Sequence, residues 1–77
     1  EVSNIYVQAG AFSEYANANR VQARLAFAGP VQISNILING RDLYRVRVGP
    51  LPSVIAADQL LEMVAKVGYK SARIVVD

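Results

Sequence analysis

The side chains of this 77-residue chain best equipped for recognition chemistry are three arginines, a glutamine and a tyrosine at strand-like spacing. Tyr6 and Gln8 alternate with Ile5, Val7 and Ala9, Arg45 and Arg47 alternate with Tyr44, Val46 and Val48, and Arg73 precedes a further apolar run. Successive strand side chains point to opposite faces, so Tyr6, Gln8 and Gly10 are expected on one face with Ile5, Val7 and Ala9 on the other. The same parity places Leu43, Arg45 and Arg47 opposite Tyr44, Val46 and Val48, and adds Arg73 and Val75 from the last run and Ser34, Ile36 and Ile38 from another. Guanidinium groups take carboxylates through charge-assisted hydrogen bonds, and a primary amide both donates and accepts. The set therefore suits ligand binding, with amide and guanidinium donors beside apolar surface. It does not suit bond making: with no Cys and no His, thiol nucleophiles, imidazole bases, zinc ligand sets and disulfide frameworks are excluded. Of the acids, Glu14, Asp58 and Glu62 fall on predicted helices, Asp42 follows a hairpin turn, and Glu1 and Asp77 end the sequence. No carboxyl pair is expected on the open face, so paired acid–base hydrolysis is not expected, and neither cofactor nor metal is expected.

The elements that must position these side chains follow from periodicity and punctuation. A strand is predicted at 5–9, ended by Gly10, with Ser13 as hydroxyl N-cap of a helix whose buried face is Ala18, Val21, Gln22, Leu25 and Ala28. Gly29-Pro30 stops that helix. A β-branched run at 31–38 leads into Asn39-Gly40, the dipeptide suited to the two positive φ angles of a type I′ hairpin, and 43–48 returns. Gly49-Pro50 punctuates the return, Ser53 caps a second helix with face Ala57, Leu60, Leu61, Val64 and Val67, Gly68 closes it, and 72–76 is the last strand. The order β-α-β-β-α-β predicts an α+β, ferredoxin-like fold: a four-stranded antiparallel sheet with both helices on one face. The halves also repeat at an offset of thirty-nine residues, pairing Val7 with Val46, Gly10 with Gly49, Ala18 with Ala57, Val21 with Leu60, Leu25 with Val64 and Gly29 with Gly68. The expected core is Ile5, Val7, Val21, Leu25, Val46, Val48, Leu60, Leu61, Val64 and Ile74, with Phe12 anchoring the first turn.

Composition bounds the rest. An apolar fraction of 53% with 18% charged residues describes one small globular domain over residues 1–77, a size that leaves little room for a deep cleft. A net charge of +2 is too small to argue for nucleic acid. No run approaches a membrane span and the first residues lack a signal-peptide pattern, so the expectation is a soluble domain, monomeric, without membrane insertion, excised from a longer protein.

Val7-Gln8-Ala9-Gly10-Ala11-Phe12, with Asn17-Ala18 and Leu25 downstream, and Tyr44-Arg45-Val46-Arg47-Val48-Gly49-Pro50-Leu51 resemble the two separated motifs of the SPOR domain family over almost the whole chain. The match is close to the version at the C-terminus of an envelope lytic transglycosylase. The chain departs from the family pattern with Ile5 where an aromatic is common, Ala11 for Ser, Leu51 for Phe, and no Trp. The resemblance implies a non-catalytic module that binds septal peptidoglycan glycan strands stripped of their stem peptides, and so targets a parent protein to the division site. It implies a periplasmic setting in a Gram-negative bacterium, with the parent an outer-membrane-anchored lipoprotein. By position it assigns glycan binding to Gln8, Arg45 and Arg47 and to the turn residues Gly10, Ala11, Phe12 and Ser13; Tyr6 and Arg73 join them by parity. Removing a stem peptide bares a lactyl carboxylate on each N-acetylmuramic acid, which the arginines would take, while Tyr6, Ile36 and Val75 would lie against sugar C–H faces.

Other readings share the topology. A single-stranded RNA-binding module would need aromatic residues where this chain has Leu43, Arg45 and Arg47. An acylphosphatase-like enzyme would need an arginine in the first turn, yet the first one, Arg20, lies within the predicted helix. A regulatory small-molecule domain stays open, and a merely solvated outer face is the plain alternative to any site.

Overall fold

The computed structural model describes residues 4–77; Glu1 lies outside them. The elements are β1 (Ile5–Phe12), α1 (Tyr15–Arg24), a single 3₁₀ turn (Ala26–Ala28), β2 (Val31–Ile38), β3 (Arg41–Leu51), α2 (Val54–Lys66) and β4 (Arg73–Val76). The sheet order is β2-β3-β1-β4 with every neighbour antiparallel, which is the predicted ferredoxin-like arrangement. Val7, Val46 and Val48 of the central strands are fully buried with Leu25, Val64, Ala18 and Ala57 of the helical segments in one cluster. Ile5, Leu61 and Ile74 pack partly buried against it. Both helices therefore cover the same sheet face, and the other is left open.

Local chemistry explains the turns. Asn39 and Gly40 take φ of 52° and 77°, as the type I′ hairpin requires. Gly29 and Gly68, thirty-nine residues apart, close the two helical segments with φ of 128° and 123°, conformations that side chains with a Cβ rarely adopt. The repeat holds at higher resolution than the core alone: β1 and β3 end at Phe12 and Leu51, and α1 and α2 begin at Tyr15 and Val54, each pair at the same offset.

Three expectations are corrected. Ser13 does not cap α1: the N-cap is Glu14, extended at φ −118° and ψ 131° and without a side-chain cap bond. Its counterpart in the repeat, Ser53, does cap, its Oγ accepting from the Ala56 N–H at 3.1 Å. Gly10 does not end β1, which runs on to Phe12, and Gly49-Pro50 does not end β3, which runs to Leu51. Most consequential is the register. Gln8 faces Arg47 but Gly10 faces Val46, so Ala9 is an extra residue in β1, a β-bulge. Beyond it the parity reverses. Gly10 and Phe12 share the helix side with their partners Val46 and Tyr44, and Ala11 joins Arg45 on the open face. A Cβ on Gly10 would stand 3.1 Å from Phe12 Cζ, so this glycine makes room for the ring that folds back beside the core.

Candidate glycan-binding face

The open face is organised by cross-strand pairing, because directly opposed residues share a face. Gln32 of β2 faces Arg47 of β3, Arg47 faces Gln8 of β1, and Gln8 faces Arg73 of β4. Two amides and two guanidiniums thus form one polar row across all four strands. One step toward the β2–β3 hairpin, Ser34, Arg45 and Ala11 form a second row; on the other side Tyr6 and Val75 are paired. The predicted parity of Ser34, Ile36 and Ile38 holds, since they face Arg45, Leu43 and Arg41.

Arg47 is the centre of this face and is far from solvated, at 6% exposure. Its Cζ lies 4.1 Å from the centroid of the Tyr6 ring, inside cation–π range. Its Nη2 donates to Asp77 Oδ2 at 2.7 Å, a charge-assisted distance. The Tyr6 ring reaches that position because of Gly49. With φ of +144°, this glycine lies so close that an added Cβ would be 2.9 Å from both Tyr6 Cδ2 and the Ile5 carbonyl oxygen. The residue expected to be simple punctuation therefore positions the site.

Arg45 is only half-buried, and its Nη2 donates to Ser34 Oγ at 2.8 Å. On its other flank stands the methyl group of Ala11, which offers no hydrogen bond. The Nε groups of both Arg45 and Arg47 are buried without a partner among the described residues, and a buried unpaired donor is costly unless something supplies its acceptor. Gln8 is also nearly covered, at 8% exposure, whereas Arg73 and Gln32 are exposed.

Of the residues singled out in the sequence, the structure gathers Tyr6, Gln8, Ala11, Arg45, Arg47 and Arg73 on one face. It turns Gly10 and Phe12 to the other side and leaves Ser13 exposed beyond the end of β1. Two members were missed. Gln32 was legible from the alternation of β2, being two residues before Ser34. Asp77, expected to be remote from the open face, instead places its carboxylate on Arg47; no local sequence pattern announces a contact thirty residues apart. Among the described residues no cluster of acids could hold a metal.

Comparison with known proteins agrees with this arrangement. The family model "SPOR domain" matches residues 1–75. Among solved structures, the crystal structure of the RlpA SPOR domain from Pseudomonas aeruginosa superposes with a TM-score of 0.87 at 28% identity, covering 95% of this chain and 99% of that one. No match was found among curated proteins. SPOR domains are non-catalytic modules that bind peptidoglycan and occur in cell-envelope and division-related bacterial proteins. The two strand motifs, the sheet order and the full-length match together make this chain a member of the SPOR domain family.

Proposed function

We propose that the open face binds peptidoglycan glycan strands from which the stem peptides have been removed, and so brings a longer envelope protein to the division septum. The observation that carries this reading is the Arg47 guanidinium, stacked on Tyr6 and holding a carboxylate at 2.7 Å. Here the carboxylate is that of Asp77; in the complex it is the lactyl carboxylate bared on N-acetylmuramic acid. Arg45, half-buried and holding a hydroxyl rather than a carboxylate, takes a carboxylate without first releasing one. Gln8, Gln32 and Arg73 supply amide and guanidinium groups for N-acetyl and hydroxyl groups, and Tyr6 and Val75 supply apolar area for the sugar rings. An attached stem peptide both amidates the carboxylate and crowds the shallow face, so selection rests on attraction and exclusion together. Gly10, Ala11, Phe12 and Ser13 would contribute chiefly through backbone and through the single methyl of Ala11.

The module acts as a monomer over residues 1–77, in the periplasm of a Gram-negative bacterium, within a lipoprotein whose lytic transglycosylase domain lies elsewhere. It uses no cofactor, and it cuts nothing: a glycosidase ordinarily needs two carboxyl groups across the scissile bond, and Asp77 is a single acid tied to an arginine. RNA binding is disfavoured because the open positions of β3 are Leu43, Arg45 and Arg47, and the one ring nearby, Tyr6, already has Arg47 stacked over it. The test is retention of the purified domain on sacculi with and without amidase treatment. Retention only after treatment, weakened by salt and without release of sugars, is the expected result; equal retention on both would refute the selectivity.

A further inference from the structure

The arginine ladder of β3 does not stop at Arg45. Alternation from Arg47 through Arg45 and Leu43 brings Arg41 to the same face, where it stands opposite Ile38. At about 3.4 Å of rise per residue, Arg41 lies roughly 14 Å from Arg45 and roughly 20 Å from Arg47 along the strand, a span that outruns a single sugar. Arg41 is exposed and its side chain makes no hydrogen bond or ion pair with any described residue, in contrast to the other two. Beside it lies a groove of about 520 Å³ bordered by Ser13, Ile38, Asn39, Arg41, Asp42 and Leu43, within the size range of small-ligand sites. Its make-up suits a sugar. Ile38 and Leu43 give an apolar floor on the open face, Ser13 and Asn39 give a hydroxyl and an amide at the rim, and Arg41 gives the charge. Asp42 borders it too, but alternation carries its side chain to the helix side, opposite Leu37.

The groove arises from the two departures already described. The bulge and the continuation of β1 to Phe12 bring the chain alongside the start of β3, with Phe12 opposite Tyr44, so Ser13 comes next to Leu43. Another concavity, about 370 Å³ between α1 and β2, offers less: its Gln22 amide is already spent on the Val31 carbonyl oxygen at 3.0 Å.

We infer that the hairpin groove is a further subsite for the same polyanionic glycan, in which Arg41 takes the carboxylate of a repeat beyond the one held at Arg45 and Arg47. The strand then runs along β3 toward the Asn39-Gly40 turn. The inference rests on the proposed denuded-glycan reading, and ligand length separates the two. Denuded glycan fragments of two, four, six and eight sugars are titrated calorimetrically into the domain and into Arg41→Gln and Arg41→Lys. The parent should gain affinity with length. Arg41→Gln should match the parent on the shortest fragment and lose about three- to fivefold on the longest, the worth of one exposed ion pair, while Arg41→Lys recovers most of that loss. A loss by Arg41→Gln that is equal at every length, or absent at the longest, would overturn the subsite alone. No binding of any fragment by the parent would overturn the subsite and the reading beneath it together. Melting curves should be unchanged, because the Arg41 side chain packs against nothing that the core needs.

Discussion

If Arg47 is a carboxylate receptor, Asp77 is its internal competitor, and Asp77→Asn should tighten binding of denuded glycan. The magnitude follows from exposure. The Arg47 side chain is 7% exposed but that of Asp77 is 57% exposed, so the pair is screened much as a surface ion pair is and contributes about 0.5 to 1 kcal/mol. A ligand carboxylate that no longer has to displace it gains that amount, roughly a two- to fivefold lower Kd. The fold should barely respond, since Arg47 keeps its contact with the Tyr6 ring and an asparagine in place of Asp77 can still accept a hydrogen bond. Calorimetric titration with a denuded tetrasaccharide, run beside urea denaturation of parent and variant, measures both quantities. The affinity gain should also shrink as salt is raised, because added ions weaken the half-exposed pair in the parent. Unchanged or weaker binding by the variant would refute competition at Arg47, and a stability loss beyond about 2 kcal/mol would mean that the pair holds the sheet together.

Further outcomes separate fold from function. Leu25→Ala, at a site with 0% exposure, should cost about 2 to 5 kcal/mol. In a domain of this size each kcal/mol lowers the calorimetric Tm by roughly 4 to 8 °C, so a shift of only a degree or two would show that the helical face is misassigned. Arg47→Ala should lose about 1 to 3 kcal/mol of stability through its ring contact and packing, whereas Arg45→Ala, half-buried on one serine, should lose less; both should weaken glycan binding. Indistinguishable denaturation midpoints for these two variants would contradict the central place given to Arg47. Gly49→Ala meets a φ of +144° and contacts at 2.9 Å, so it should destabilise by about 1 to 3 kcal/mol and also weaken binding by displacing Tyr6; parental affinity in the folded variant would separate Gly49 from the site.

How much of this was legible in the sequence depended on whether the signal was local. The Asn39-Gly40 hairpin, the glycines after each helical segment and the apolar helix faces are all written within a few residues, and each stands where its chemistry puts it except Val67, which falls at the C-cap of α2 and is exposed rather than buried. Parity along β2 and β3 was legible for the same reason, since both strands run from the hairpin without interruption as far as Val48. The Ser13 cap failed because a hydroxyl before an acid is a common signal, and two neighbouring residues competed for one position. The repeat contained the better answer, for Glu14 is the counterpart of Ser53. The Ala9 bulge was not legible: an extra residue is defined by the partner strand, and β1 alone reads equally well with or without it. Asp77 was invisible on the same ground, its contact being made in space and not along the chain.

The two irregularities of the β1–β3 pairing also bear on why the site lies where it does. Register shifts fall between Ile5 and Val7 and again between Gln8 and Gly10, so they bracket the short segment that places Gln8 against Arg47. A bulge bends its strand, increases local twist and re-aims side chains. On the hairpin side, the Ala9 bulge takes Gly10 off the open face and substitutes Ala11, a methyl, beside Arg45. On the far side, the irregularity at Gly49 withdraws a Cβ and lets the Tyr6 ring reach the Arg47 guanidinium. The irregular pairing holds one guanidinium against an aromatic ring and leaves only a methyl group beside the other, and a receptor pre-organised in that way loses less freedom when it takes a ligand.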